Sequence, residues 1–102
     1  MLYDLSDLMQ FVSQERAEAV HLHEKESPIL EVKRTLHRIE GPPLASGETM
    51  ELFHAVAPSE ELTERRTNHM ASFYFHFQDV AVFHVMAFHE DGQLRLELRR
   101  FK

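Results

Sequence analysis

Eight histidines are the residues of this sequence best suited to chemistry, since imidazole ligates zinc, copper or nickel and exchanges protons near neutrality. His21 and His23 alternate on one strand face, and His76 and His84 fall diagonally on adjacent strands in the register argued below. No HExxH occurs and no third ligand stands at a defined spacing, so surface or half-buried histidine is the better reading. No metal and no other cofactor is expected. The acidic pair Glu60-Glu61 has a sufficient role at a helix N-terminus after Ser59, which leaves no dedicated general acid and base. Three glycines, Gly41, Gly47 and Gly92, form neither a GxxxxGK[ST] nor a GxGxxG phosphate cradle, and no serine has a G-x-S-x-G setting. Without cysteine there is no thiolate nucleophile, thiolate metal site or disulfide. No catalytic residue is assigned, and the chain is expected not to be an enzyme.

The elements that position these side chains must fit in 102 residues, the size of one domain. The balance of 11 Lys+Arg against 17 Asp+Glu gives a net charge of -6, which argues against nucleic acid or an anionic membrane surface as partner. No apolar run reaches the length of a membrane span, so no membrane insertion is expected. Met1 to Gln10 carries Asp4 and Asp7 and no basic residue, unlike a signal peptide, and the expected address is the cytoplasm.

Leu5, Leu8, Met9 and Val12 form the stripe of an amphipathic helix over Asp4–Ala17. Alternation from Ala19 to His23 predicts a short strand, and two more follow at Ile29–Lys33 and Leu36–Ile39, paired about Arg34-Thr35. Gly41-Pro42-Pro43 stops regular structure. Ser46 is placed to cap a helix with the stripe Met50, Phe53 and Val56 or Ala57, and Ser59 a shorter one to Arg66.

The last third reads as an antiparallel meander of Ser72–Phe77, Ala81–His89 and Leu94–Phe101. Asp91-Gly92 is a strong two-residue hairpin signal, and it gathers Phe83, Val85, Ala87, Leu94, Leu96 and Leu98 on one face. The first turn decides where three phenylalanines go, because a one-residue slip moves a whole strand to the other face. A three-residue connection from Gln78 to Val80 puts Phe73, Phe75 and Phe77 in the core. The outer face then carries Tyr74, His76, Val82, His84, Met86 and Phe88 with Arg95, Glu97 and Arg99. Its apolar members make it the candidate protein interface, against coverage by the N-terminal helix. Lys33-Arg34, Arg65-Arg66 and Arg99-Arg100 read as solvated strand and helix ends. The layout α-βββ-αα-βββ is an α+β domain, a mostly antiparallel sheet with helices on one face.

Five runs carry a family resemblance: Ala19-Val20-His21-Leu22, Ser27-Pro28-Ile29-Leu30-Glu31-Val32, Leu36-His37-Arg38-Ile39, Pro42-Pro43-Leu44 and Val80-Ala81-Val82-Phe83-His84-Val85-Met86-Ala87-Phe88. In this order they resemble the N-terminal domain of the type IV pilus retraction ATPases (PilT-like), within the type II/IV secretion ATPase superfamily. The resemblance covers essentially the whole chain, 1–102, as a single domain of that type without the ATPase core. It implies a PAS-like α+β unit that packs on the neighbouring subunit of a hexamer and helps close its ATP site. The Walker motifs of the family lie in a C-terminal domain that this sequence does not contain. Positions that carry arginines in the family are Val82 and His84 here, an asparagine position is Met86, and the hairpin glycine gives way to Lys33-Arg34-Thr35. The acidic position of the first strand is Ala19 or Val20. These departures argue against nucleotide contact and for an interface whose partner has changed. The resemblance implies a non-catalytic interaction or regulatory domain, engaged in self-association or docking to a pilus or secretion-type ATPase. The alternative it leaves open is a PAS-like small-molecule sensor.

Overall fold

A computed structural model describes residues 3–57, 70–79 and 81–101. The first helix, α1 (Leu5–Gln14), buries Leu5, Leu8, Met9 and Val12, as its stripe requires. Asp4 caps it by accepting the Ser6 N–H at 2.7 Å. The helix stops short of the expected Ala17 because Arg16 turns left-handed (φ 55°). The Arg16 N–H then donates to the Ser13 carbonyl and the Ala17 N–H to that of Val12, a Schellman closure with arginine in the place glycine usually takes.

Strands β1 (Ala19–Leu22), β2 (Ile29–Val32) and β3 (Thr35–Arg38) follow. The β2–β3 turn lies at Lys33-Arg34, since Val32 pairs with Thr35, one residue earlier than expected. Both turn residues are left-handed, with φ of 50° and 66°, the signature of a tight hairpin. The Lys33 N–H donates to both carboxylate oxygens of Glu18, at 3.0 and 2.9 Å, which helps fix this turn without glycine.

The second helix, α2 (Glu48–Val56), starts from Gly47 at φ 80° and not from a Ser46 cap. No side-chain cap bond is made there; Glu48 instead fixes the approach to the helix, its carboxylate accepting the Ala45 N–H at 2.8 Å and the Tyr3 N–H at 2.9 Å, while the Gly47 N–H donates to Glu24 at 2.9 Å. The buried face runs through Thr49, Leu52 and Phe53, and Met50 and Val56 flank it half-buried. The short helix expected from Ser59 to Arg66 lies outside the described residues.

The chain ends in the meander β4 (Met70–Phe77), β5 (Ala81–Glu90) and β6 (Gln93–Arg100). Phe77 pairs with Ala81, so the first connection has the three residues expected, and Glu90 pairs with Gln93 across Asp91-Gly92. All six strands form one antiparallel sheet in the order β3-β2-β1-β6-β5-β4. Its centre is the pairing of β1 with β6, Ala19 opposite Arg99 through Leu22 opposite Leu96. On the inner face Val20, Leu22, Phe83, Val85, Leu96 and Leu98 are fully buried in one cluster with the helix residues Met9, Val12, Leu52 and Phe53. Both described helices therefore cover the inner face and leave the outer one uncovered by them.

Candidate interaction surface on the outer sheet face

Strand alternation and register bring the expected outer residues into rows across the sheet. Tyr74 pairs with His84, which pairs with Arg99, and His76 pairs with Val82. Ser72, Met86 and Glu97 form the next row, followed by Met70, Phe88 and Arg95. Tyr74 is 56% exposed and its ring stacks on His84 with centroids 4.6 Å apart and planes 15° from parallel. His76 is exposed, and Val82, His84, Met86 and Phe88 are half-buried by neighbours on their own sheet. The Arg95 guanidinium lies 4.6 Å over the Phe88 ring, a cation–π contact that covers part of the apolar surface.

The face has two further apolar members that the sequence reading leaves out. Phe101, 60% exposed, is held beside β5 by its N–H donating to the Val82 carbonyl at 2.7 Å, and its ring meets Tyr74 edge-on at 5.2 Å. Met70, 42% exposed, extends β4 two residues before the expected start. Its signal is present in the alternation, since Met70 continues the Ser72, Tyr74, His76 face.

Beside the apolar part lies a charged network that sequence reasoning does not assemble. The Arg99 guanidinium is forked onto Glu31, Nη2 to Oε1 at 3.0 Å and Nη1 to Oε2 at 3.3 Å, and its Nε donates to Glu97 at 2.9 Å. His21 stands between the two carboxylates, with Nε2 3.0 Å from Glu31 and Nδ1 3.5 Å from Glu97. The hydrogen bonds from Arg99 and then from His21 hold the Glu31 carboxyl below its ordinary value, and those to Glu31 and Glu97 raise the Arg99 guanidinium. Arg99 thus places its positive charge against both glutamates, and with His21 the network ties β2, β1 and β6 together on the outer face. Among the described residues no cluster of three or more His, Asp or Glu has a metal-binding arrangement.

A six-stranded antiparallel sheet with its helices on one face defines an α+β domain whose open surface is apolar at one end and ion-paired in the middle. This fold is that of the N-terminal domain of a pilus retraction ATPase: it superposes on the ADP-bound pilus retraction motor PilT with a TM-score of 0.86 at 18% identity, over 95% of this chain and 29% of that one. The ATPase DotB of Legionella pneumophila matches with a TM-score of 0.76 at 17% identity, over 96% of this chain and 28% of its own. DotB of Yersinia pseudotuberculosis gives 0.73 at 16%, over 96% and 29%. The chain thus spans less than a third of the length of the ATPases it matches. No family model and no curated protein sequence matches it. Among the described residues no helix is long and apolar enough to cross a membrane.

Proposed function

We propose that this domain is a non-catalytic interaction module of the retraction and secretion ATPase type, which docks to such an ATPase or to its own copies through the outer sheet face. The observation that carries this reading is an apolar row, Val82, Met86 and Phe88 with exposed Tyr74, on the face that the described helices leave open in a fold shared with a retraction motor. A solvated sheet face is ordinarily polar. The shared fold supports a place beside an ATPase core, in the cytoplasm where that core has its nucleotide, with the catalytic motifs on another domain. Sensing of a small molecule between sheet and helices has less support, because Phe53 packs on Phe73 there at a centroid distance of 5.8 Å and Phe53 and Phe83 are fully buried.

Light scattering on the wild type and on a Val82→Asp, Met86→Asp double variant tests this, alongside binding of each to a hexameric ATPase of the secretion class. The wild type is expected to associate in one of the two assays and the variant, shown folded by circular dichroism, in neither. A wild type that is monomeric and does not bind the ATPase overturns the reading. A specific rise of the melting midpoint with a nucleotide or haem would favour the sensor instead.

A further inference from the structure

The two edges of the sheet differ in how they meet solvent. At one end β3 is four residues long, exposed throughout, carries Arg38 and follows the Lys33-Arg34 turn, so charge and shortness discourage a further strand. At the other end β4 is eight residues long and contains neither a charged residue nor a proline, and the described strands leave its far side unpaired. It is the one described strand longer than four residues without Asp, Glu, Lys or Arg, in a chain that is 27% charged. Eight residues offer about 27 Å of ladder at roughly 3.4 Å per residue. Three of the exposed large apolar side chains, Met70, Tyr74 and Phe101, gather at this end of the sheet.

We infer that β4 is a strand-pairing edge whose occupant is β4 of a second copy, running antiparallel about a two-fold axis and joining two sheets into one of twelve strands. A second copy fits for three reasons. Its edge has the same length, so a two-fold at Tyr74 sets residues 71–77 of the two copies opposite one another. It brings no charge to an edge that has none, although each chain carries -6 overall. Residues directly opposite in an antiparallel pair share a face, so a two-fold near Tyr74 sets Phe73 of one copy against Phe75 of the other on the core side and prolongs the inner aromatic layer. This contact is made by the backbone edge, whereas docking through Val82 and Met86 uses the face, and the two can be told apart.

The test uses the absence of cysteine from the chain. Ser72→Cys, Tyr74→Cys and His76→Cys are introduced singly, oxidised, and scored for disulfide dimers, while hydrogen exchange of β4 amides is followed against protein concentration. One of the three positions is expected to cross-link to itself well ahead of its neighbours, and alternate β4 amides to gain protection as concentration rises. Tyr74→Lys, which places a charge at an already exposed site, is expected to weaken dimerisation by about tenfold or more with the fold retained. Concentration-independent exchange along β4, or equal cross-linking at all three positions, overturns the inference. So does a dimer that survives Tyr74→Lys but is lost in the Val82→Asp, Met86→Asp variant, and that outcome supports face docking instead. Protection of β4 seen only when an unrelated protein is added assigns the edge to another strand and also overturns it.

Discussion

Arg99 and Glu31 stand on strands that do not touch, β6 and β2, and their side chains join across β1 by a forked pair at 3.0 and 3.3 Å. Arg99→Ala removes this clamp and the bond to Glu97 together, leaving two partly buried carboxylates without their cation. Because the Arg99 side chain is 39% exposed, solvent screening limits the loss to about 1 kcal/mol. A shift of the urea midpoint without change in slope is the expected measurement.

Ala19 lies beneath that clamp, opposite Glu31 on one side and Arg99 on the other, and it is fully buried although it faces outward. Only a small side chain lets the two charged groups meet above it. Ala19→Leu is expected to force them apart and to cost about 1–3 kcal/mol by overpacking. In a double-mutant cycle with Arg99→Ala the two losses should add to less than their sum, since both break the same contact. Additive losses would show that the clamp does not depend on alanine here.

The depressed Glu31 carboxyl predicts a sign for the acid limb of stability. The unfolded chain takes up a proton at the ordinary glutamate value of 4.5, whereas the folded chain resists it, so the stabilisation is complete above that value. It is lost as the pH falls toward the lower folded value. Glu31→Gln should therefore unfold at lower urea than the wild type at neutral pH, with the two curves converging in acid. Parallel curves over that range would remove Glu31 from the account.

The Lys33-Arg34 turn holds two side-chain-bearing residues in left-handed conformations that asparagine and glycine adopt at lower cost. A Lys33→Asn, Arg34→Gly double variant keeps the backbone N–H that donates to Glu18 from the first turn position. It is expected to be more stable than the wild type by about 1 kcal/mol, measured by urea denaturation.

What can be read from the residues follows the range of the interactions. The β4–β5–β6 registers are legible because Asp91-Gly92 names its own turn and the alternating phenylalanines admit one burial. The β2–β3 turn falls one residue earlier than the alternation suggests because Lys33 and Arg34 carry no turn chemistry; the Glu18 carboxylate that receives the Lys33 N–H lies fifteen residues away. Ser46 is a poor guide to the second helix for a similar reason, since Glu24 and Glu48 fix the entry to it by accepting the N–H groups of Gly47, Ala45 and the distant Tyr3. The residues proposed for an interface, Tyr74, His76, Val82, His84, Met86 and Phe88, share one face, because a period of two suffices for that. His21, Glu31, Glu97 and Arg99 cannot be assembled from sequence, because they become neighbours only when β1 is known to lie between β2 and β6.

That central position of β1 also bears on how the domain is made by a ribosome. The first three strands can pair locally as they emerge, but β1 keeps one side open until the residues of β6, nearly eighty positions later, have been synthesised. Closing so long a loop is entropically costly and slow relative to local pairing. During elongation the nascent chain carries an exposed apolar strand, Ala19–Leu22, that the finished domain hides at the middle of its sheet. Early translation pauses would prolong that exposure, and the interval before the last strand arrives is when a ribosome-associated chaperone has something to hold.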